Sequence, residues 1–184
     1  TPLYKKEYDI MFSGQLIERK MPFFFLEVAK ILHKKMGKIK ILILGNGELK
    51  NLFLQKLQVE GINYDYPGFI DQTELPVYYS KSKFLLFPSL NDPWGVVANE
   101  AMASGVPVLT CENTGVANDL VINNENGFVL DLDPNLWATK IIDTLNNPKE
   151  YERLSQNAIQ NVQKFNFENA AQGIIDAINF TYEN

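Results

Sequence analysis

Cysteine and histidine are nearly absent from this sequence. Cys111 is the only cysteine in 184 residues, so no internal disulfide can form and the chain suits a reducing compartment. His33 is the only histidine. It lies among lysines on a predicted helix, and no partner for general-base chemistry is evident there. These two scarcities argue against a disulfide framework and against a histidine-centred active site.

Long apolar runs and an excess of positive charge are also missing. No stretch approaches the ~18 apolar residues of a transmembrane helix. The 17 lysines and arginines are outnumbered by 22 acidic residues, which gives a net charge of −5. The chain therefore has no overall positive field for nucleic acid, and any phosphate must be held by local geometry. Its length and its hydrophobic fraction of 46% are typical of one globular domain, spanning residues 1–184.

Strand and helix patterns alternate along the chain. This alternation predicts an α/β fold of Rossmann-like type, a mostly parallel six-stranded sheet with helices on both faces. A short helix is expected between Gly115 and Ile122, and the last helices, over 149–182, are expected to cover the domain. Ligands of such folds bind outside the carboxyl ends of the strands. The predicted strands lie near residues 9–14, 39–44, 63–66, 84–87, 107–111 and 128–130.

The most informative stretch runs from Phe84 to Val108. A buried strand is followed by a polar loop that contains Asp92, and a helix then begins near Gly95. Glu100 lies about a turn and a half into that helix. The N–H groups at the helix start can bind an anion, and the two carboxylates can accept hydrogen bonds from ligand hydroxyls. This combination suits a ligand with an anionic part and neighbouring hydroxyls, such as a sugar nucleotide.

The same stretch resembles the donor-site signature of retaining glycosyltransferases of family 4, E-x7-E followed by E-A-M-A-x-G-x-P-V. Here Asp92 stands for the first glutamate, and Glu100 begins the segment EAMASGVPV. The whole chain is similar to the carboxyl-terminal half of a GT-B glycosyltransferase. The resemblance implies that the chain is the nucleotide-sugar-binding domain of a larger, two-domain enzyme.

The resemblance also implies roles for individual residues. Glu100 would accept hydrogen bonds from ribose hydroxyls, Asp92 would contact the transferred sugar, and Lys20 would hold the diphosphate. These three are the catalytic candidates. Gln15 stands where the family has a phosphate-binding arginine, and Arg19 is an alternative source of that charge. The donor-binding candidates are Gly14, Gln15, Lys20, Gly47, Phe69, Ile70, Asp92, Trp94, Gly95, Val96, Val97 and Glu100.

The resemblance gives more specific roles to two segments among the donor-binding candidates. Phe69 and Ile70 are expected to border the base, and the backbone from Trp94 to Val97 is expected to hold sugar and phosphate. The resemblance further implies a metal-independent reaction without a cofactor. Asp131 and Asp133 form a D-x-D sequence, but Asp133 directly precedes Pro134. We therefore interpret Asp133 as a helix N-cap rather than a metal ligand.

Three functions remain open. The leading hypothesis is retaining transfer of a hexosyl group from a nucleoside-diphosphate sugar to a glycan or lipid-linked acceptor of polysaccharide or lipopolysaccharide biosynthesis. The isolated chain would then be inactive, because the acceptor side of the cleft belongs to an amino-terminal domain. The alternatives are a non-catalytic nucleotide-binding module and a GT-B-like sugar-nucleotide epimerase. The expected location is the cytoplasm, and peripheral contact with the inner face of a membrane through the other half is left open.

Overall fold

The fold is built on one sheet. The computed structural model describes residues 5–68 and 70–183, without the side chains of residues 167, 182 and 183. Within them the strand order is β3-β2-β1-β4-β5-β6, and every neighbouring pair is parallel. The predicted six-stranded, Rossmann-like fold is therefore confirmed. The strands are β1 (Tyr8–Ser13), β2 (Lys40–Leu44), β3 (Asn63–Asp65), β4 (Ser82–Phe87), β5 (Val108–Thr110) and β6 (Gly127–Val129).

Seven α-helices connect and cover these strands within the described part of the chain. Proline as the first helical residue favours three of the starts, at Pro22, Pro134 and Pro148. Asp133 caps its helix as predicted, because its side chain accepts a hydrogen bond of 2.8 Å from the Asn135 backbone N–H. The helices are α1 (Pro22–Met36), α2 (Lys50–Val59), α3 (Leu75–Ser80), α4 (Val96–Ala103), α5 (Pro134–Leu145), α6 (Pro148–Val162) and α7 (Phe167–Glu183).

Both faces of the sheet are buried, so the central strands are apolar at successive positions. In β4, Phe84 and Leu86 pack into the core beneath α1, α2 and α5, whereas Leu85 and Phe87 pack into the core beneath α3 and α4. Side chains of a strand point alternately to the two faces. This arrangement explains why the run from Phe84 to Phe87 is apolar throughout rather than alternating.

The strand order brings two distant loops together. The chain builds β1, β2 and β3 outward on one side, then returns to place β4 on the other side of β1. The two loops start side by side at the ends of β1 and β4, and the chain then continues from them toward opposite edges of the sheet. A crevice therefore opens between the loops at the carboxyl ends of these strands. Gly14 to Lys20 follow β1, and Asn91 to Gly95 follow β4, so the residues of the signature lie at this crevice.

The helix predicted between Gly115 and Ile122 is wrong. The segment forms turns, with an isolated bridge between Ala117 and Val121. Asn118 adopts a left-handed conformation with φ of 64°, which a helix cannot accommodate. The side chain of Asn126 accepts a hydrogen bond of 2.8 Å from the Ile122 N–H. Such side-chain bonds to the backbone compete with helical hydrogen bonds.

The last two helices differ in how they meet the domain. In α6, Leu154 and Ala158 are fully buried. In α7 every described side chain is exposed, and Ile174, Ile175 and Ile178 are exposed by 63%, 49% and 49%. The exposure of α7 differs from the expectation that it would cover the domain. None of the helices in the described ranges has the length and apolarity that a membrane-spanning helix requires.

Candidate functional site

A pocket of about 360 Å³ lies at the carboxyl ends of β1 and β2. Its walls combine backbone from the two strand-end turns with side chains from α3 and α4. Val97 and Glu100 come from α4. This helix follows the loop from Asn91 to Gly95, which carries Asp92 and is called the signature loop. The residues that line the pocket are Ser13, Gly14, Leu44, Gly45, Asn46, Tyr66, Gly68, Ile70, Leu75, Tyr79, Val97 and Glu100.

The two strand-end turns pack backbone against backbone. A Cβ atom on Gly45 would lie 1.8 Å from the Gly14 carbonyl oxygen, and one on Gly47 would lie 2.4 Å from that of Leu16. Gly45 also has a φ of 132°, a conformation that favours glycine. Gly47, a predicted donor-binding residue, therefore has a packing role that requires glycine whatever ligand binds.

Glu100 receives a hydrogen bond from a buried tyrosine. The Tyr79 hydroxyl donates to Oε2 of Glu100 at 2.8 Å, and the same hydroxyl oxygen lies 2.7 Å from Oγ of Ser13. Tyr79 is only 1% exposed. Burial raises its pKa, and the negative charge of Glu100 raises the pKa further, although the bond with Ser13 opposes the shift. Tyr79 thus stays a neutral donor, and Glu100 is held in a defined orientation at the pocket wall.

Asp92 is held differently, by ion pairs. It is buried, with 8% exposure, and its Oδ2 pairs with the Lys20 ammonium. A guanidinium nitrogen of Arg19 lies 3.5 Å from the same oxygen. The Asp92 backbone is fixed as well, since its carbonyl accepts a hydrogen bond of 2.8 Å from the Gly115 N–H. Two cations and one carboxylate therefore meet beside the signature loop, with a local excess of positive charge.

The start of α4 requires a glycine. Gly95 has a φ of 108°, and a Cβ atom there would lie 2.4 Å from the ring of Phe87. The first-turn N–H groups that follow, from Val96 and Val97, have no acceptor within the helix. Because Val97 also lines the pocket, these donors lie near the pocket. They can bind an anionic group there.

The side chain of Trp94 belongs to a different cavity. Its indole N–H donates to the Asn99 side chain at 2.8 Å, and its ring lies 5.6 Å from that of Phe165. Both rings line a separate cavity of about 440 Å³, together with the start of α7. Trp94 is therefore left with the backbone role that was predicted for it, and that role stays a prediction.

The structure brings some of the predicted residues together and separates others. Gly14, Ile70, Val97 and Glu100 line the pocket, and Lys20 and Asp92 pair in the adjoining loops. Gln15 is exposed and is not among the residues that line the pocket. Phe69 lies outside the described residues. Eight residues of the pocket wall are missing from the predicted candidates, and four of them are Ser13, Tyr66, Leu75 and Tyr79.

Only weak sequence signals could have found these four. Leu75 and Tyr79 fit the apolar pattern of a short helix, which indicates burial and not contact with a ligand. Ser13 directly precedes the glycine turn after β1, and Tyr66 precedes Pro67 and Gly68. A position next to a strand-end turn indicates that a residue lies near the crevice, but it does not say which group the side chain meets.

A metal site in the described ranges would need a group of ligating side chains close together. No group of three or more His, Cys, Asp or Glu side chains in them lies close enough together to hold a metal ion. Asp133 is used as a helix cap, and the Asp131 backbone carbonyl accepts a hydrogen bond of 2.9 Å from the Trp137 indole. The metal independence of the reaction stays a prediction.

The six-stranded parallel sheet in this strand order, with a crevice at the switch point between β1 and β4, defines a Rossmann-like α/β fold. A model of the family described as glycosyl transferases group 1 matches residues 1–161. Since the match covers most of the chain, the protein belongs to the glycosyl transferases group 1 family.

Individual relatives agree with this assignment. The chain is 26% identical over 164 residues to an alpha-1,4-N-acetyl-D-galactosaminyltransferase of Campylobacter jejuni, which covers 88% of the chain and 45% of the relative. The curated relatives are longer, and the chain spans less than half the length of those it matches.

Solved structures agree with the fold. Sucrose-phosphate synthase of Thermosynechococcus elongatus superposes with a TM-score of 0.81 at 26% identity, over 96% of this chain and 46% of that one. The C-terminal domain of a group 1 glycosyl transferase from Francisella tularensis superposes with a TM-score of 0.75 at 24% identity, over 87% and 86%. The second match covers most of a solved C-terminal domain, which agrees with the C-terminal half of a GT-B fold.

Proposed function

We propose that this chain is the donor-binding domain of a retaining glycosyltransferase of family 4. It holds a nucleoside-diphosphate sugar for transfer of a hexosyl group. The observation that carries the proposal is the juxtaposition, at one switch point, of the Glu100 pocket, the first-turn N–H groups of α4 and the Asp92 ion pairs. These three features suit, in order, a nucleoside, a diphosphate and a sugar.

The nucleoside is assigned to the pocket. Tyr66, Ile70 and Leu75 contribute apolar surface to its lining, which suits the face of a base. Glu100 offers carboxylate oxygens at the same wall and would accept hydrogen bonds from the ribose hydroxyls. The volume of about 360 Å³ is in the range of small-ligand sites.

The diphosphate and the sugar are assigned to the region beyond the pocket. Lys20 has three N–H donors and pairs with Asp92 through its ammonium group, so further donors remain for phosphate oxygens. Arg19 is 43% exposed at its side chain and lies next to the same carboxylate. Arg19 therefore supplies the second positive charge, which the neutral side chain of Gln15 does not provide. Both cations and the α4 start would stabilise the charge that develops on the leaving diphosphate.

Catalysis needs more than this domain. Transfer requires an acceptor held against the anomeric carbon in a cleft that excludes water, and the crevice described above forms one wall. The Campylobacter relative is named for a substrate linked to PP-undecaprenol, which favours a lipid-linked glycan as the acceptor. The expected location is the cytoplasm, with the acceptor held by the other half of the enzyme and with no metal required.

A non-catalytic nucleotide-binding module is the second candidate. It is favoured by Gln15, which is exposed and uncharged where the family has an arginine. Arg19 beside Asp92 weakens that objection. Membership of a glycosyltransferase family argues against the epimerase alternative.

Substitution of Glu100 tests the nucleoside assignment. Glu100→Gln exchanges a charged acceptor for a neutral amide, so we expect nucleoside diphosphate affinity to fall by about 1–3 kcal/mol. Titration calorimetry on the folded variant measures the loss. Glu152→Gln, on the exposed face of α6, is the matched control and should bind as the unmodified protein does. Unchanged affinity in folded Glu100→Gln would contradict the assignment.

A radiolabelled donor tests the catalytic part of the proposal. The isolated 184 residues should bind the donor without forming product, and a longer protein that includes the acceptor domain should form a glycoside. Product from the isolated chain would mean that its active site is complete in one domain. Binding without turnover by the longer protein would favour the non-catalytic module.

A further inference from the structure

We infer that Tyr79 is a positioning residue that orients Glu100 and thereby sets the preference of the site for ribose over 2′-deoxyribose. The inference rests on the proposed function, in which Glu100 faces the ribose. Tyr79 itself is a residue to which the signature assigns no role. The observations that carry it are the two short hydrogen bonds of its hydroxyl, to Glu100 and to Ser13.

The protons in this chain of hydroxyls can be counted. The Tyr79 hydroxyl has a single proton, and the ionised carboxylate of Glu100 can only accept. The Tyr79 hydroxyl therefore uses its one proton to donate the hydrogen bond of 2.8 Å to Glu100. The contact of 2.7 Å with Ser13 must then run the other way, with the serine hydroxyl donating to the tyrosine oxygen. The direction of the whole chain, from Ser13 through Tyr79 to Glu100, follows from this count.

The three hydrogen-bonded residues lie on secondary-structure elements that pack in the core. The chain of hydrogen bonds joins the last residue of β1 to α4 through a tyrosine of α3. The Tyr79 ring is packed in the core beneath α3 and α4, in the same cluster as Ala101 and Met102. A ring held in a packed core has one accessible orientation. Its hydroxyl consequently fixes the position of one carboxylate oxygen of Glu100 relative to the sheet.

The geometry leaves a defined set of acceptors for a ligand. Oε2 of Glu100 is engaged by Tyr79, so Oε1 and the remaining lone pair of Oε2 are available at the pocket wall. The two neighbouring hydroxyls of a ribose can donate to both oxygens of a carboxylate that is held in this way. A 2′-deoxyribose offers one donor fewer and would leave an acceptor unsatisfied. Sites built to bond a hydroxyl reject analogues that lack it.

Loss of the tyrosine hydroxyl should therefore act on selectivity. Without that bond the Glu100 carboxylate can rotate toward solvent, and the preset pair of acceptors is lost. A purely structural role for Tyr79 predicts a different outcome, in which affinity for ribose and 2′-deoxyribose ligands falls by the same factor. The ratio of the two affinities separates these possibilities.

The experiment compares ribonucleoside diphosphates with their 2′-deoxy counterparts by titration calorimetry. We expect Tyr79→Phe to lower the ratio of ribose to 2′-deoxyribose affinity by about 3- to 10-fold, the range of the net contribution of one ordinary hydrogen bond. Tyr78→Phe is the matched control, since it makes the same change one residue earlier on α3. It should leave the ratio unchanged.

A second variant covers the case in which Tyr79→Phe does not fold. Ser13→Ala keeps the tyrosine but removes the group that orients its hydroxyl, and it should lower the same ratio by a smaller factor. A ratio equal to that of the unmodified protein, in a folded variant of Tyr79 or else of Ser13, overturns the inference and leaves the proposed function standing. Failure of the unmodified protein to bind any nucleoside diphosphate would refute the proposed function and this inference with it.

Discussion

Two carboxylates of the site are stabilised by different means at the residue scale. Asp92 is buried and is compensated by the Lys20 ammonium, so removal of Lys20 would leave a buried charge without its partner. Glu100 is bonded by a neutral tyrosine hydroxyl instead. The first arrangement neutralises charge, whereas the second preserves it for a ligand. This difference matches the separate roles proposed for the two residues.

Restoring the family arginine is expected to strengthen phosphate binding. Gln15→Arg should tighten the binding of a nucleoside diphosphate more than that of the nucleoside, because a guanidinium can bond two phosphate oxygens. The gain should shrink with added salt, since position 15 is exposed. Calorimetry at two salt concentrations measures both effects. Gln55→Arg, on the exposed face of α2, should change neither affinity, and equal gains for both ligands at position 15 would show that it does not face the phosphates.

At the scale of secondary-structure elements, close contacts between turns determine the shape of the crevice. The turn after β2 approaches the turn after β1 so closely that Gly45 cannot carry a side chain. The signature loop is likewise tied to the turn after β5, where a Cβ atom on Gly115 would lie 2.0 Å from the Pro93 carbonyl oxygen. Glycines at these contacts allow strand ends to converge. The crevice is therefore shaped by backbone contacts as much as by side chains.

Gly45→Ala should destabilise the fold through this contact. The added methyl would meet the Gly14 carbonyl at 1.8 Å, so we expect the free energy of unfolding to fall by about 2 kcal/mol or more from strain and overpacking. Chemical denaturation measures the loss. Gly37→Ala is the control, because Gly37 also has a positive φ of 81° but no atom within 4 Å of the added carbon. Equal losses in the two variants would mean that the left-handed conformation, and not the contact, sets the cost.

Buried titratable groups shape the alkaline stability of the whole molecule. Burial lowers the pKa of Lys6 to about 8, and its ammonium donates to the Ser82 carbonyl at 2.8 Å. Burial also raises the pKa values of Tyr8, Tyr79 and Tyr151 above the ordinary value of 10.0. The lysine and the tyrosines therefore affect stability in opposite directions as the pH rises.

We expect stability to rise with pH above about 8 and to fall again beyond the ordinary pKa of tyrosine. Between about 8 and 10.5 the unfolded chain keeps the Lys6 proton that the folded protein has lost, so the free energy of unfolding increases. Beyond 10.0 the unfolded chain ionises its tyrosines first, so stability decreases. Denaturation across this range measures the profile.

Lys6→Met tests the rising part of that profile. The variant keeps the apolar length of the side chain without its charge, so the increase above pH 8 should shrink. Lys5→Met, at an exposed neighbouring position, is the matched control and should keep the increase. An unchanged profile in Lys6→Met would contradict the assignment of this effect to Lys6.

Local patterns determined most of the fold. The alternation of apolar runs with helical periodicity predicted the six strands, because each pattern reflects burial within its own element. Asp133 before Pro134 correctly predicted a helix cap, and Gly105, just beyond α4, adopts the left-handed conformation that glycine favours at a helix end, with φ of 69°. These features depend only on neighbouring residues. The failed helix between Gly115 and Ile122 shows the limit, since side-chain hydrogen bonds from Asn126 compete with the helical pattern there.

The motif around Asp92 and Glu100 was likewise visible in the sequence, but the contacts of both residues were decided by tertiary structure. Lys20 and Asp92 are 72 residues apart and meet only because β4 lies next to β1 in the sheet. Tyr79 and Glu100 meet because α3 and α4 pack on the same face. Strand order and helix packing arise from the balance of the whole core, which no local pattern encodes. The sequence by itself therefore determined which residues are candidates for donor binding, and the tertiary structure decided which groups contact and orient them.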